Sequence, residues 1–193
     1  MKILQNHKLT IIAGIVLTLI LVAIGVKTTL AGGSSYTGID PFGLARFGHI
    51  LAGITWVGLL YYFNFVQVPS LGNVSAETKA DLFKEGSVVR RALWWFRWGA
   101  MLTLLFGFAL YHNLGTAAGW DIRIGAAFGV IMWFNVWFII WPAQKKVIGI
   151  VDASAEEKAA AGKRALVASR TNTLLSIPML MFMVSSGHFP IFH

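Results

Sequence analysis

The sequence contains no cysteine. This absence excludes disulfide bonds, iron–sulfur clusters, zinc sites with thiolate ligands and a covalently attached c-type haem, which needs a Cys-x-x-Cys-His motif. Charged residues are also scarce, at 12% of 193 positions against roughly 25% in an average soluble domain. No acidic residue falls in the middle of an apolar run, which argues against a proton pump or a cation transporter. There is also no P-loop, nucleophile–base pair or pair of carboxylates.

The chain is instead rich in long apolar segments, and 56% of its residues are hydrophobic. Five segments reach the roughly 20 residues needed to cross a bilayer, at about 9–31, 43–69, 93–113, 122–142 and 166–188. The sequence therefore predicts an all-α integral membrane protein, with residues 1–193 as a single membrane domain. The first segment resembles a cleavable signal peptide, but we interpret it as a retained helix that anchors the chain in lipid.

The basic residues lie in two loops between the apolar segments. Residues 70–92 carry four lysines and arginines and residues 143–165 carry five, whereas residues 32–42 and 114–121 carry none. The positive-inside rule then predicts a cytoplasmic N-terminus, two cytoplasmic basic loops and a C-terminus on the opposite side. The net charge of +8 is thereby explained by topology, and we expect no nucleic-acid partner.

An internal repeat relates the second and third segments to the fourth and fifth. Gly58-Leu-Leu-Tyr-Tyr-Phe-Asn64 matches Gly129-Val-Ile-Met-Trp-Phe-Asn135, and each motif is followed by a proline, Pro69 or Pro142. The next loops begin with Ser75-Ala-Glu-Thr-Lys79 and Ser154-Ala-Glu-Glu-Lys158. The repeats, A at about 43–113 and B at about 122–188, predict a four-helix bundle of two parallel hairpins, plus the N-terminal helix.

Three histidines are expected at the same side of the membrane, opposite the basic loops: His49, His112 and His188. A b-type haem needs two axial imidazoles at matched depth on facing helices, so these residues are candidate haem ligands. His49 lies deepest in its segment, and Gly53, one turn later, would leave room for a flat macrocycle. Arg46 and Arg123 are candidates to pair with the haem propionates.

Two alternatives to haem remain open for these histidines. Imidazoles without thiolates also suit Cu(II), and His193 follows His188 closely in the tail. Histidines near helix ends are also common as interfacial residues, like the abundant tryptophans.

A second polar group is expected near the basic side. The repeat pairs Asn64 with Arg97 and Asn135 with Arg170, each pair within one hairpin. The plain interpretation is a set of interhelical hydrogen bonds or arginines that extend to the interface. The functional alternative is a pocket for a quinone or an anion.

Several motifs resemble the membrane domain of bacterial cytochrome c urate oxidases. The similarity runs from about 43 to 189 and is carried by four segments: His49 to Pro69, Ala92-Leu-Trp-Trp-Phe-Arg-Trp-Gly99, Met132 to Lys145, and Ala168-Ser-Arg-Thr-Asn-Thr-Leu-Leu-Ser-Ile-Pro-Met179. The resemblance implies a multi-pass protein of the bacterial inner membrane that passes electrons towards the respiratory chain. A more distant resemblance to b-type cytochrome membrane proteins implies haem ligation by His49.

The urate oxidases also carry a cytochrome c domain, and this sequence has none. We therefore expect a b-cytochrome-type electron-transfer protein, or an oxidoreductase subunit, that works with a separate cytochrome or other subunits of a respiratory complex. The alternatives are an accessory subunit without a redox centre and a copper-binding membrane protein.

Overall fold

The computed structural model describes residues 3–33, 38 and 40–192, which form six helices and no strand. Five helices are long and apolar enough to cross a bilayer, and they are α1 His7–Ala31, α2 Pro41–Leu71, α4 Val88–Ala117, α5 Trp120–Val147 and α6 Ala155–His188. The remaining helix, α3 Ala76–Phe83, is short and lies between α2 and α4. The prediction of an all-α protein with five potential membrane spans is confirmed.

All five spans begin earlier than predicted, two of them by five residues or more, and α3 was not predicted. Helix α4 starts at Val88 instead of about 93, and α6 starts at Ala155 instead of about 166. Hydropathy detects only the part of a helix that lies in lipid, whereas polar turns are started by N-caps. Ser154 caps α6 in a capping box with Glu157, and Ser75 caps α3 by accepting from the Thr78 N–H at 3.2 Å.

The chain divides into two units by its internal contacts. The first, Met1–Asp40, contains α1, whose first turn is capped by the Asn6 side chain and none of whose residues is buried. The second, Pro41–His193, contains α2 to α6. The predicted single domain, and the role of α1 as an anchor, stay predictions.

In the second unit, α2 packs mainly against α4, and α5 mainly against α6, with smaller contacts between α4 and α5 and between α2 and α6. Fully buried side chains between these helices include Leu60, Phe96, Met132 and Val136. At Gly99 of α4, an added Cβ would lie 3.2 Å from the Trp56 backbone nitrogen of α2. A glycine at this contact therefore lets the two helices approach closely. The four-helix bundle of two duplicated hairpins stays a prediction.

Both α2 and α5 contain a π-helical turn, at Tyr62–Gln67 and Asn135–Ile140. Pro69 and Pro142 follow two residues after the respective turns. Proline has no N–H to donate to the preceding turn, so the regular hydrogen-bond ladder is interrupted at this point of each helix.

We call the end of the second unit that carries residues 72–87 and 148–154 the basic end, and the opposite end the histidine end.

Candidate functional site

His49 lies in the cleft between α2 and α4, where its ring is half-buried. Its Nδ1 is 2.9 Å from the carbonyl oxygen of Thr103. A carbonyl only accepts, so Nδ1 carries the proton and donates, and Nε2 keeps its lone pair. A histidine whose second nitrogen donates to a backbone carbonyl is the usual arrangement of a metal-ligating imidazole.

Glycines shape the contact around this ring. An added Cβ at Gly107 of α4 would lie 2.9 Å from His49 Cε1, and one at Gly48 would lie 2.7 Å from the Phe106 ring. A Cβ added at Gly53 would lie 3.9 Å from Thr103 Cγ2, so the room expected beside Gly53 is bounded by α4. A macrocycle therefore does not fit between α2 and α4, and a ligand would have to reach Nε2 from outside this seam.

The other two candidate ligands are exposed. His112 lies in the last turn of α4, and His188 is the last residue of α6, with its Nδ1 3.2 Å from the Val184 carbonyl oxygen. Among the described residues, no three His, Cys, Asp or Glu side chains come together as a metal site. A copper site built from His49, His112 and His188 at once is therefore not formed in this arrangement. His193 lies outside the described residues.

Both candidate propionate partners are also exposed at the histidine end. Arg46 lies one turn before His49 on α2. Arg123 donates from Nε to the Ala118 carbonyl oxygen at 2.9 Å, and its guanidinium lies 5.3 Å from the Trp120 ring centroid. The rest of the Arg123 guanidinium keeps N–H donors that could bind an anion.

Asp121 is a buried residue at the histidine end that the sequence analysis did not single out. It is 2% exposed and accepts three hydrogen bonds, from the Ser185 hydroxyl at 3.0 Å and from the N–H groups of Ile191 and Phe192 at 2.7 and 3.0 Å. Its carboxylate thereby fastens the C-terminal tail to the first turn of α5. The sequence places Asp121 at the start of a predicted span, but it does not show that the C-terminal tail binds this residue.

Asn64 and Asn135, the asparagines of the polar group expected near the basic side, both form hydrogen bonds to α6. Asn135 Nδ2 donates to Asn172 Oδ1 at 2.8 Å, and Asn172 Nδ2 donates to the Met132 carbonyl oxygen at 2.9 Å. Asn64 Nδ2 donates to Ser169 Oγ at 2.8 Å and to the Leu60 carbonyl oxygen at 2.9 Å. The asparagines thus connect α2 and α5 to α6.

The expected asparagine–arginine pairs are therefore replaced by other contacts. The Arg97 guanidinium lies over the Trp141 ring, 3.3 Å from its centroid, and Arg170 is exposed. The repeat shows which positions are equivalent in the two hairpins, but it does not show that Asn64 bonds to Ser169 in the other hairpin, or that Asn135 bonds to Asn172.

Five buried polar atoms in this region have no hydrogen-bond partner among the residues that the structure describes. They are Asn64 Oδ1, Gln67 Oε1 and the Nε1 atoms of Trp56, Trp133 and Trp137. Asn64 and Gln67 both belong to the π turn of α2. Unpaired buried groups are costly and often occur near functional sites.

A cavity of about 510 Å³ lies between α5 and α6. Its wall includes Asn135 of α5 together with Lys163, Arg164 and Thr171 of α6, and the last three are exposed. Arg170 is not among its lining residues, and the pocket for a quinone or an anion stays a prediction.

Residues 111–193 match the family model described as "Urate oxidase N-terminal". This match includes the third and fourth motifs of the resemblance, together with His112, Arg123, Asn135, Arg170 and His188. The resemblance is thereby confirmed over the second half of the chain. No curated protein and no solved structure matches the chain.

Proposed function

We propose that this chain is a membrane electron-transfer module of b-cytochrome type, in which His49 is one axial ligand of haem b. The observation that carries the proposal is the His49 imidazole, which lies within a span and donates from Nδ1 to Thr103. This hydrogen bond fixes the ring and leaves Nε2 as the ligating atom. When bound, haem b would supply one-electron transfer.

His112 or His188 would provide the second imidazole that holds the haem. Each lies at the histidine end of a helix other than α2, and each is exposed and therefore free to reorient. Arg46 and Arg123 would neutralise the propionates. The family match supports a relation to the membrane module of urate oxidases, from which we infer an oxidoreductase context.

We also infer that α2 with α4, and α5 with α6, are two copies of one hairpin that together form a four-helix bundle. A π turn two residues before a proline occurs in both α2 and α5. A serine N-cap, at 75 and 154, begins the next helix in both halves. Such matched irregularities support a duplication more strongly than matched hydrophobicity does.

The proposed setting is the bacterial inner membrane, with the basic end in the cytoplasm and the histidine end facing a partner on the other side. The charges of the basic loops support this orientation. The partner that receives or delivers electrons would be a separate cytochrome or another subunit of a respiratory complex.

The test is the reduced-minus-oxidised absorption spectrum of the purified protein, together with its iron content. We expect a b-type spectrum that His49→Ala and His49→Gln abolish, because an iron that loses an axial ligand loses the low-spin signature. Only one of His112→Ala and His188→Ala should do the same. His7→Ala is the matched control, since His7 lies in α1, outside the second unit.

A variant protein that elutes as the wild type in gel filtration but lacks the spectrum supports ligation. A wild-type protein that remains colourless and iron-free after expression with added haem contradicts it. The close-packed seam between α2 and α4 would then favour the second candidate, an accessory subunit without a redox centre. Copper in the metal analysis would instead identify a copper-binding protein.

A further inference from the structure

A second cavity, of about 300 Å³, lies at the basic end between the start of α4 and the end of α5. Its walls combine three arginines, Arg90, Arg91 and Arg97, with two tryptophans, Trp94 and Trp141. Arginines beside aromatic rings are typical of sites that bind anions with an apolar part.

Arg97 is held in place but has no polar partner. Its guanidinium stacks on Trp141 at 3.3 Å and is half-buried. Within the described part of the chain, it forms no hydrogen bond and no ion pair, although it carries five N–H donors. A fixed, partly desolvated cation with free donors is a ready site for an oxyanion.

The neighbouring arginines have different roles. Arg90 donates from Nε to the Phe83 carbonyl oxygen at 2.9 Å and from an Nη to the Ile148 carbonyl oxygen at 2.6 Å. Arg90 therefore joins the two basic loops and closes the wall of the cavity. Arg91 is exposed and makes no such bonds in the described residues, so its donors face the ligand or solvent.

The charge of the cavity favours an anion. Glu85 is the one acidic residue in its wall, and it is exposed. The two ion pairs seen among the described residues, Lys84 with Asp81 and Lys146 with Glu157, do not involve Arg91 or Arg97. The arginines are thus not neutralised by an acidic partner from the protein.

The depth of Arg97 favours a lipid over a soluble ion. With its final 3-10 turn, α4 has 30 residues. It is about 45 Å long, against a hydrocarbon core of about 30 Å, so each end extends about 7 Å beyond the core. Arg97, about 14 Å from the start of α4, then lies about 7 Å inside the hydrocarbon core, from which its long side chain can extend to the phosphate layer. Trp94 is exposed on the same stretch, as expected of an interfacial residue.

We propose that this cavity binds the phosphate group of an anionic phospholipid. Arg97 and Arg91 donate to the phosphate oxygens, Trp141 holds the Arg97 guanidinium in its stacked position, and the acyl chains extend into the surrounding bilayer. The site is independent of the haem proposal, because it lies at the end opposite His49.

The test is native mass spectrometry of the full-length protein in detergent with added phosphatidylglycerol or phosphatidylcholine. We expect one phosphatidylglycerol to remain bound preferentially. Arg97→Gln should weaken its binding about tenfold or more, because a charge-assisted hydrogen bond is lost. Arg97→Lys should restore only part of the affinity, since an ammonium lacks the planar fork. Lys158→Gln, which removes one charge from the basic end outside this cavity, should have little effect.

Three results would overturn the proposal. They are equal retention of phosphatidylcholine, unchanged binding by a correctly folded Arg97→Gln protein, and displacement of the lipid by millimolar inorganic phosphate. The last would identify a soluble anion as the ligand. Thermal unfolding of each variant distinguishes loss of the site from loss of the fold. Trp141→Leu provides a second variant, which removes the ring on which Arg97 stacks but leaves the charge of Arg97.

Discussion

Individual polar side chains connect the helices of the second unit, and Asn172 is among the most completely buried of them. It is 0% exposed, accepts from Asn135 and donates to the Met132 carbonyl oxygen. Asn172 therefore joins α6 to α5 through two hydrogen bonds. Its two hydrogen bonds use both the oxygen and the nitrogen of the amide side chain, one as acceptor and the other as donor.

Asn172→Ala is expected to destabilise the protein by about 2 kcal/mol. Interhelical hydrogen bonds in membranes contribute about 0.6 kcal/mol on average, but a buried partner left unpaired costs about 1–3 kcal/mol. Unfolding in mixed micelles would measure the difference. Thr171→Ala is the control, because the exposed Thr171 hydroxyl bonds only to the Val167 carbonyl oxygen of its own helix. Equal stability of the two variants would show that the Asn172 contacts contribute nothing.

Among the helices, α2 and α4 form a close contact. It depends on glycines that lie opposite large side chains: Gly48 against Phe106, Gly107 against His49 and Gly99 against Trp56. The His49 ring thus lies in the space left by the missing side chain of Gly107 on α4. The geometry of the candidate ligand is a property of this pair of helices.

Gly99→Ala is expected to destabilise the protein by about 1–3 kcal/mol, as overpacking does. The new Cβ would meet the Trp56 backbone at 3.2 Å, and backbone cannot move aside as a flexible side chain can. Gly58→Ala, in an open part of α2, should instead stabilise the helix by about 0.5–1 kcal/mol. Thermal unfolding of both variants would test the seam, and two shifts of the same sign would contradict this account.

At the scale of the whole molecule, the absence of cysteine gives a direct test of topology. We expect a membrane-impermeant maleimide to label Thr116→Cys in intact spheroplasts, because Thr116 lies in the final 3-10 turn of α4, within the segment 114–121 that carries no lysine or arginine. Asp152→Cys, in a basic loop, should be labelled only after the membrane is permeabilised. Both residues are exposed, so both variants should react in detergent, which is the control. The reverse pattern would place the basic end outside the cytoplasm.

The sequence predicted the helices better than it predicted their contacts. Apolar length and loop charge are local properties, and they located all five potential spans. The partner of Asn64 was predicted within its own hairpin, but it lies on α6, and Asn135 bonds to Asn172 of α6 instead of the predicted Arg170. Likewise, Gly53 was expected to leave space, but Thr103 lies beside it. Such contacts depend on how each helix is rotated about its axis, which a pattern of apolar residues defines only approximately.

The π turns of α2 and α5 have a consequence for how this chain tolerates insertions and deletions. A π turn closes its hydrogen bonds over one more residue than an α-helical turn does, so each segment holds one surplus residue. Deleting a single residue within Tyr62–Gln67 would therefore leave a regular helix whose two flanks keep nearly their present relative orientation. The Trp56 face and the Pro69 face of α2 would still point in the directions they have now. A single-residue deletion here is expected to be tolerated better than one elsewhere in α2, which would rotate one flank by about 100° relative to the other.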